Sequence, residues 1–184
     1  MDKLKLIADS CILCKNPRCK KNCPVSTPIP EIIQLYKDNQ IDKAGEILFR
    51  NNPLSAICAV VCAHENQCSG NCIKGIKGDP VEFYEIEKYI STQYLENTPF
   101  NKPDITLDDR IAIVGSGPAG ITIAFILALK GYKVTIFESK DKIGGILRYG
   151  IPEFRLPKDI LDTFYKRLLE LGVKVRFNTL IGPV

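Results

Sequence analysis

Long hydrophobic runs are absent from this 184-residue chain. The longest apolar stretch, Ile121 to Leu129, is interrupted by Thr122 and falls far short of the roughly 20 residues that a bilayer-spanning helix needs. Residues 1–10 lack the apolar segment of a signal peptide. We therefore expect a cytoplasmic protein with no membrane span.

Cysteine is absent from residues 73–184, although eight cysteines lie between Cys11 and Cys72. In a reducing compartment, metal ligation or redox chemistry explains such a group better than disulfides do. The segment from Asn97 to Asp104 is rich in turn formers and prolines, which disfavour helices and central strands. We therefore predict an α+β chain of two modules, residues 1–102 and residues 103–184.

A strong charge of one sign is absent as well. The formal net charge is +4, and it counts every cysteine as neutral. Seven metal-bound thiolates would contribute about −7 and two oxidised [4Fe-4S] cores about +4, which leaves roughly +1. This balance gives no support to nucleic acid as a partner. Basic residues near the first cysteines are most simply a solvated face, although they could also guide an acidic electron-transfer partner: Lys15, Arg18, Lys20 and Lys21.

The first module has the pattern of a small all-α domain. Apolar side chains at helical spacing predict helices over Pro30–Lys37 and Asp42–Arg50. A third helix is predicted to have Asp79 as its cap and Pro80 in its first turn, and it continues to about Tyr94. No strand-like alternation occurs before residue 105. We expect a core this small to depend on a metal for its stability.

The second module changes to α/β character. It begins with a buried parallel strand, Arg110–Val114, and a glycine-rich turn that opens a helix from about Pro118 to Lys130. A second strand covers Lys133–Glu138. A helix over Pro157–Leu171 and a third strand over Val173–Phe177 follow. This order is typical of the start of a doubly wound, Rossmann-like domain.

The cysteines form two closely spaced runs. The runs are Cys11-x2-Cys14-x4-Cys19-x3-Cys23-Pro24 and Cys58-x3-Cys62-x5-Cys68-x3-Cys72. Structural zinc usually shows two C-x2-C pairs separated by a longer loop, whereas a close run that ends in Cys-Pro is typical of ferredoxin-type clusters. In two-cluster ferredoxins the cysteine before the proline ligates the other cluster, so Cys23 is predicted to leave the first run.

Two other interpretations of these cysteines stay open. The module could be held together by structural zinc. Alternatively, some cysteines could be buried as small apolar groups, and Cys58 is the best candidate for such a role. His64, the single histidine, is interpreted as a surface or loop residue and not as a ligand.

A glycine motif follows the first strand of the second module. It consists of Gly115, Ser116, Gly117, Pro118, Ala119 and Gly120. Gly115 permits a tight turn, Gly117 lets the backbone approach a pyrophosphate, and Gly120 allows close packing of the helix on the strand. Glu138, at the end of the next strand, is expected to bind a ribose diol and to repel a 2′-phosphate. These residues alone predict a site for FAD or NAD.

Together these motifs resemble the N-terminal part of the small subunit of NADPH-dependent glutamate synthase. They are also similar to the flavin subunit of electron-bifurcating ferredoxin:NADP oxidoreductase and to the N-terminal region of dihydropyrimidine dehydrogenase. The segments that carry the resemblance are Cys11–Pro24, Cys62–Cys72, Gly115–Gly120, and Gly144–Pro152 with its continuation Phe154–Lys158.

This resemblance implies a ligand set for two [4Fe-4S] clusters. One cluster would be held by Cys11, Cys14, Cys19 and Cys72. The other would be held by Cys23, Cys62, Cys68 and one side chain from the following helix. That side chain is Glu87, with Glu85 as the alternative, and Cys58 would be a non-ligand.

The resemblance also implies that FAD occupies the glycine motif. Glu138 would contact its adenosine ribose, with Gly144, Gly145 and Leu147 near its pyrophosphate and flavin. NADPH or NADH would bind through a domain that is not in this chain and would reduce the FAD. The expected activity is that of an NAD(P)H-dependent iron-sulfur flavoprotein oxidoreductase, which passes electrons to an acceptor subunit or domain. The alternative is a non-catalytic electron-transfer or assembly subunit of a larger split flavoprotein.

Overall fold

The computed structural model describes residues 3–104 and 107–182. The chain divides into two compact units, Met1–Asn97 and Thr98–Val184. The predicted module boundary at residue 102 lies a few residues beyond this division. No helix within the described ranges is long and apolar enough to cross a membrane.

All the regular secondary structure described in the first unit is helical, as predicted. Its α-helices are α1 (Lys3–Ser10), α2 (Arg18–Lys21), α3 (Ile29–Lys37), α4 (Ile41–Asn51), α5 (Ser55–Val61) and α6 (Phe83–Asn97), and short 3-10 helices cover His64–Asn66 and Ile73–Ile76. The structure confirms α3 and α4 to within one residue at each end. Sequence periodicity did not predict α1 or α5, because these segments are too short to show an amphipathic repeat.

The structure corrects the predicted start of α6. The helix begins at Phe83, whereas Asp79 and Pro80 lie before it in an irregular segment. Val81 is buried in the core of this unit, and its carbonyl accepts a hydrogen bond from the Phe83 N–H at 2.9 Å. Because the side chain of Val81 is packed before the helix starts, the capping signal at Asp79 is not used.

Helix α6 is the central element of the first unit and packs against α4 and α5. The core comprises fully buried side chains from α3, α4 and α6: Ile32, Ile33, Ala44, Leu48, Phe83, Ile86 and Ile90. Gly45 of α4 lies directly against Tyr94 of α6. A Cβ atom at position 45 would lie 2.6 Å from Tyr94 Cβ, so the two helices approach closely only because residue 45 has no side chain.

We predict that Gly45→Ala destabilises the first unit. Overpacking of a close helix contact costs about 1–3 kcal/mol, which exceeds the gain of about 1 kcal/mol in helix propensity. Thermal unfolding followed by circular dichroism should show a midpoint lowered by several degrees. The control is Lys43→Ala, because Lys43 is an exposed residue of the same helix. Equal midpoints for the two variants would contradict the close contact.

The second unit contains a parallel three-stranded sheet with helices. The strands are β1 (Arg110–Val114), β2 (Lys133–Phe137) and β3 (Lys174–Arg176), and the helices are α7 (Pro118–Leu129), α8 (Ile146–Tyr149) and α9 (Asp159–Glu170). The strand order is β1-β2-β3, with Ile113 opposite Ile136 and Ile136 opposite Val175. The structure therefore confirms the predicted Rossmann-like start.

One face of this sheet is covered and the other is open within the described residues. Phe125 of α7 and Phe164 of α9 are fully buried, and their rings meet edge to face at 5.9 Å. The structure confirms that β1 is a parallel strand and corrects the prediction that it is buried, because only one of its faces is covered. Ile113 is buried, but Ala112 and Val114 alternate to the opposite face and are exposed.

Candidate metal centre and nucleotide site

The first cysteine run is held by α1, α2 and the loop between them. Cys11 follows α1, Cys19 lies within α2, and Cys23 follows α2. Leu13 has a φ of 49°, which non-glycine residues rarely adopt. This residue bends the chain between Cys11 and Cys14.

Thiols from both runs line a first cavity. The cysteines around it are Cys11, Cys14, Cys19, Cys68 and Cys72. Much of the remaining lining is apolar and includes Ile29, Val81 and Phe83. Burial, with smaller contributions from the nearby thiols of Cys72, Cys11 and Cys14, raises the pKa of the Cys19 thiol to about 11. Cys72, from the second run, therefore lies at the same cavity as the cysteines of the first run.

A second cavity is lined by thiols of both runs and by a carboxylate. These groups belong to Cys23, Cys58, Cys62, Cys68 and Glu87. Burial raises the pKa of Cys62, and the charges of Cys23 and Glu87 raise it further. Burial, with a smaller contribution from the charge of Glu87, also raises the pKa of Cys68 to about 11. Cys68 borders both cavities, and its sulfur lies 3.8 Å from Nδ1 of His64, which lines the second.

Glu87 is a buried carboxyl group directed at the second cavity. Burial alone raises its pKa to about 8, and no hydrogen bond to its carboxylate occurs among the described residues. Burying such a group without a partner costs several kcal/mol unless it stays neutral or binds a cation. The alternative position, Glu85, forms an ion pair with Lys3 at 3.2 Å, away from this cavity.

The two cavities adjoin one another. Ile29, Cys68 and Phe83 line both, so a single layer of side chains separates them. Electron transfer between groups bound in the two cavities would cross only this layer. Cys68 is the one residue of this wall that carries sulfur.

The spacing of the side chains matters for the identity of the metal. A zinc–sulfur bond of about 2.3 Å brings the sulfurs of a tetrahedral site within about 4 Å of one another. Within residues 3–104 and 107–182, no three histidine, cysteine or acidic side chains are grouped closely enough to hold a single ion. A set of thiols around an apolar cavity fits a larger group such as an iron-sulfur cluster.

Two residues of the second cavity did not emerge as ligands from the sequence. Cys58 lines this cavity, and its spacing of one helical turn before Cys62 was the available signal. His64, interpreted as a surface or loop residue, also lines the cavity, with Nδ1 at 3.8 Å from Cys68 Sγ. The His64 ring stacks on Tyr84 at 4.5 Å, and Nε2 lies 3.3 Å from the Ala59 carbonyl oxygen.

The glycine motif forms the turn between β1 and α7. Gly115 has a φ of 88°, which requires glycine, and a Cβ at Gly115 or Gly117 would point into open space. A Cβ at Gly120 would lie 2.1 Å from the Gly115 carbonyl oxygen, so the start of α7 packs tightly on this turn. Pro118 occupies the first turn of α7 and Ala119 is exposed. Backbone groups of the turn therefore border free space at the start of a helix, as phosphate binding requires.

The second glycine pair lies against the first motif. The Gly144 N–H donates to the Ser116 carbonyl at 2.9 Å, and a Cβ at Gly145 would lie 2.9 Å from Gly117 Cα. The structure thus brings together two segments that are distant in sequence. Leu147 is buried, its N–H donates to the Gly144 carbonyl at 3.0 Å, and its own carbonyl accepts a hydrogen bond from Lys158 Nζ at 2.8 Å.

Glu138 is connected to the glycine motif. One carboxylate oxygen accepts hydrogen bonds from the Ser116 N–H, at 2.8 Å, and from the Ser116 hydroxyl. The other accepts from the Lys140 N–H at 2.9 Å and from the Ser139 hydroxyl at 3.3 Å. Burial favours a raised pKa, but these hydrogen bonds outweigh it and hold the Glu138 pKa below its usual range. The ribose contact expected of Glu138 would have to replace one of the two serine hydroxyls.

Comparison with protein families gives two matches. Residues 2–99 match the model described as dihydropyrimidine dehydrogenase domain II, 4Fe-4S cluster. The chain belongs to this family. Residues 113–158 match the NAD(P)-binding Rossmann-like domain, a range that contains the glycine motif and Glu138. The matches confirm the resemblance and the order of an iron-sulfur domain followed by a nucleotide-binding one.

Individual relatives align with nearly the whole chain. The NAD-dependent dihydropyrimidine dehydrogenase subunit PreT of Salmonella typhimurium is 34% identical over 95% of this chain and 43% of its own length. The glutamate synthase [NADPH] small chain of Escherichia coli is 32% identical over 97% of this chain and 38% of its own. That of Azospirillum brasilense is 33% identical over 95% and 37%. The chain thus spans about two fifths of the length of these oxidoreductase relatives.

We predict that the two cysteine runs exchange ligands. If Cys72 joins the first run, Cys19→Ala and Cys72→Ala should alter the same cluster signal in electron paramagnetic resonance of the reduced protein. Cys23→Ala should alter the other signal. The expectation would be wrong if Cys23→Ala and Cys19→Ala changed one signal together while Cys72→Ala changed the second.

Proposed function

We propose that this chain is the iron-sulfur and flavin-binding part of an NAD(P)H-dependent oxidoreductase. Two [4Fe-4S] clusters would occupy the two cavities of the first unit, and FAD would bind at the glycine motif of the second. The observation that carries the proposal is the pair of adjoining cavities, each lined by cysteines of both runs.

The side chains around each cavity suit a cluster of this kind. The first would be held by Cys11, Cys14, Cys19 and Cys72, and the second by Cys23, Cys62, Cys68 and Glu87. A carboxylate oxygen is a harder ligand than a thiolate and would set the potential of the second cluster apart from that of the first. The apolar wall of Ile29 and Phe83 would keep water from both sites.

Backbone hydrogen bonds support thiolates in the first cavity. The backbone of Leu13 lowers the pKa of Cys11, and that of Lys20 lowers the pKa of Cys19, although burial outweighs both effects. Iron would supply the positive charge that keeps these buried sulfurs ionised. The protein therefore positions the sulfurs, and the iron would stabilise their charge.

FAD would bind with its pyrophosphate at the start of α7. The open space beside Gly115 and Gly117 and the contact of Gly145 with Gly117 support this position. Glu138 would contact the adenosine ribose, and its charge disfavours a 2′-phosphate, which supports FAD over NADP at this site. When bound, FAD would supply the conversion of two-electron hydride transfer to one-electron transfer.

The electron acceptor would be another subunit or domain. The relatives include proteins named as a subunit of dihydropyrimidine dehydrogenase and as the small chain of glutamate synthase, and both names indicate larger assemblies. By this likeness we propose that NADPH or NADH binds through a further domain and that this chain relays electrons to a partner.

Anaerobic purification followed by metal and cofactor analysis tests the proposal. We expect about eight iron and about eight acid-labile sulfide per chain, with stoichiometric FAD, because each cluster contains four of each atom. Zinc without sulfide would contradict the clusters. NAD in place of FAD would contradict the flavin assignment while leaving the clusters in place.

Gly120→Ala should weaken flavin binding. The added methyl group would lie 2.1 Å from the Gly115 carbonyl oxygen and would displace the turn from the start of α7. We expect at least about tenfold weaker binding of FAD, measured by flavin absorbance after gel filtration. Gly182→Ala is the control, because a Cβ there meets no atom within 4 Å. Equal flavin content in both variants would place the cofactor elsewhere.

A further inference from the structure

The second cavity contains a thiol that the proposed cluster does not use. Cys23, Cys62, Cys68 and Glu87 account for the four irons of a cube, yet the Cys58 thiol lines the same cavity. We propose that Cys58 is an alternative ligand for the iron assigned to Glu87. This inference rests on the proposed function, because it requires a cluster in the second cavity.

The position of Cys58 on α5 directs it to this cavity. Cys58 lies in the last turn of α5, and Cys62 is the C-cap residue of this helix. The Cys62 N–H donates to the Cys58 carbonyl at 3.1 Å. Residues four apart on a helix lie on the same face. The Cys58 thiol is therefore a neighbour of a thiol already assigned to the cluster.

Asn52 provides a hydrogen bond that suits a thiolate at Cys58. Its Nδ2 donates to Cys58 Sγ at 3.2 Å, while its Oδ1 accepts from the Leu54 N–H at 3.1 Å. The Leu54 hydrogen bond fixes the orientation of the amide, so an N–H group points at the sulfur. Such donors stabilise ligating sulfur and tune the potential of a cluster.

Glu87 lacks comparable support. Within the described part of the chain, its carboxylate accepts no hydrogen bond, although it is buried. Glu87 and Cys58 line the same cavity. Iron also prefers soft thiolate ligands in clusters. The structure thus places a hydrogen-bonded soft ligand beside an unsupported hard one.

The exchange balances without a further reactant. The bond from iron to the Glu87 oxygen breaks, and a bond from iron to Cys58 Sγ forms. The Cys58 thiol proton passes to the released carboxylate, and iron keeps its oxidation state. The total charge of the site is unchanged.

Removal of Glu87, with and without Cys58, tests the inference. Anaerobically purified Glu87→Ala should retain about eight iron per chain, with one cluster signal changed in electron paramagnetic resonance, because Cys58 replaces the carboxylate. Combining Glu87→Ala with Cys58→Ser should reduce the iron content to about four. Cys58→Ser alone is the matched single variant and should also retain about eight iron per chain, because Glu87 is still present as a ligand.

Two results would overturn the inference. Loss of the second cluster in Glu87→Ala alone would show that Cys58 does not replace it, and unchanged iron in the double variant would show that Cys58 is not needed. Wild-type protein without acid-labile sulfide would instead reject the proposed clusters themselves, which is a separate outcome.

The effect of Asn52→Leu, compared between the wild-type and Glu87→Ala backgrounds, provides a test that does not need the double variant of Glu87 and Cys58 to fold. Asn52→Leu removes the N–H donor to Cys58 and should shift the midpoint potential of the second cluster more in the Glu87→Ala background than in wild type. The loss of the Leu54 hydrogen bond is common to both backgrounds and cancels in the comparison. Equal shifts in the two backgrounds would contradict ligation by Cys58.

Discussion

The first unit depends on the convergence of buried thiols from separate segments around two adjoining cavities. Cys72 lines the first cavity together with Cys11, which follows α1. Cys23 lines the second cavity together with Cys62, which follows α5. Burial raises the pKa of several of these thiols, so keeping them ionised together requires a positive charge between them. The proposed clusters supply that charge, and metal binding and folding of this unit are therefore expected to be coupled.

Helix α6 connects the packing of this unit to its chemistry. Phe83, at its start, forms part of the wall between the cavities, and Ile86 and Ile90 fill the core. Glu87 faces the second cavity one turn after Phe83. Gly45 allows α4 to approach the far end of the same helix. A change in the packing of α6 is therefore expected to alter the surroundings of both proposed clusters.

Three helices could be predicted from periodicity, because α3, α4 and α9 each bury a continuous side, whereas α7 was predicted from the glycine-rich turn that precedes it. The start of α6 could not, because the burial of Val81 is a tertiary contact that a local capping signal does not contain. The open face of β1 also depends on which elements cover the sheet. An apolar strand is compatible with burial on one face or on two.

The candidate site was predictable where spacing alone fixes the geometry, as in the turn from Gly115 to Gly120. The hydrogen bonds between Glu138 and Ser116 join residues 22 positions apart, and they depend on how the ends of β1 and β2 align. Cys58 shows the same limit. Its spacing from Cys62 predicts a shared helix face, but only the packed structure shows that this face borders the cavity with Glu87.

Anomalous diffraction at the iron absorption edge, from crystals grown without oxygen, tests the central claim most directly. The account predicts two compact groups of iron, one bounded by Cys11, Cys14, Cys19 and Cys72 and the other by Cys23, Cys62 and Cys68 with Glu87 or Cys58. Iron bound by Cys11, Cys14, Cys19 and Cys23 together would contradict the exchange of ligands between the two runs. Single ions with the absorption edge of zinc would contradict the clusters themselves.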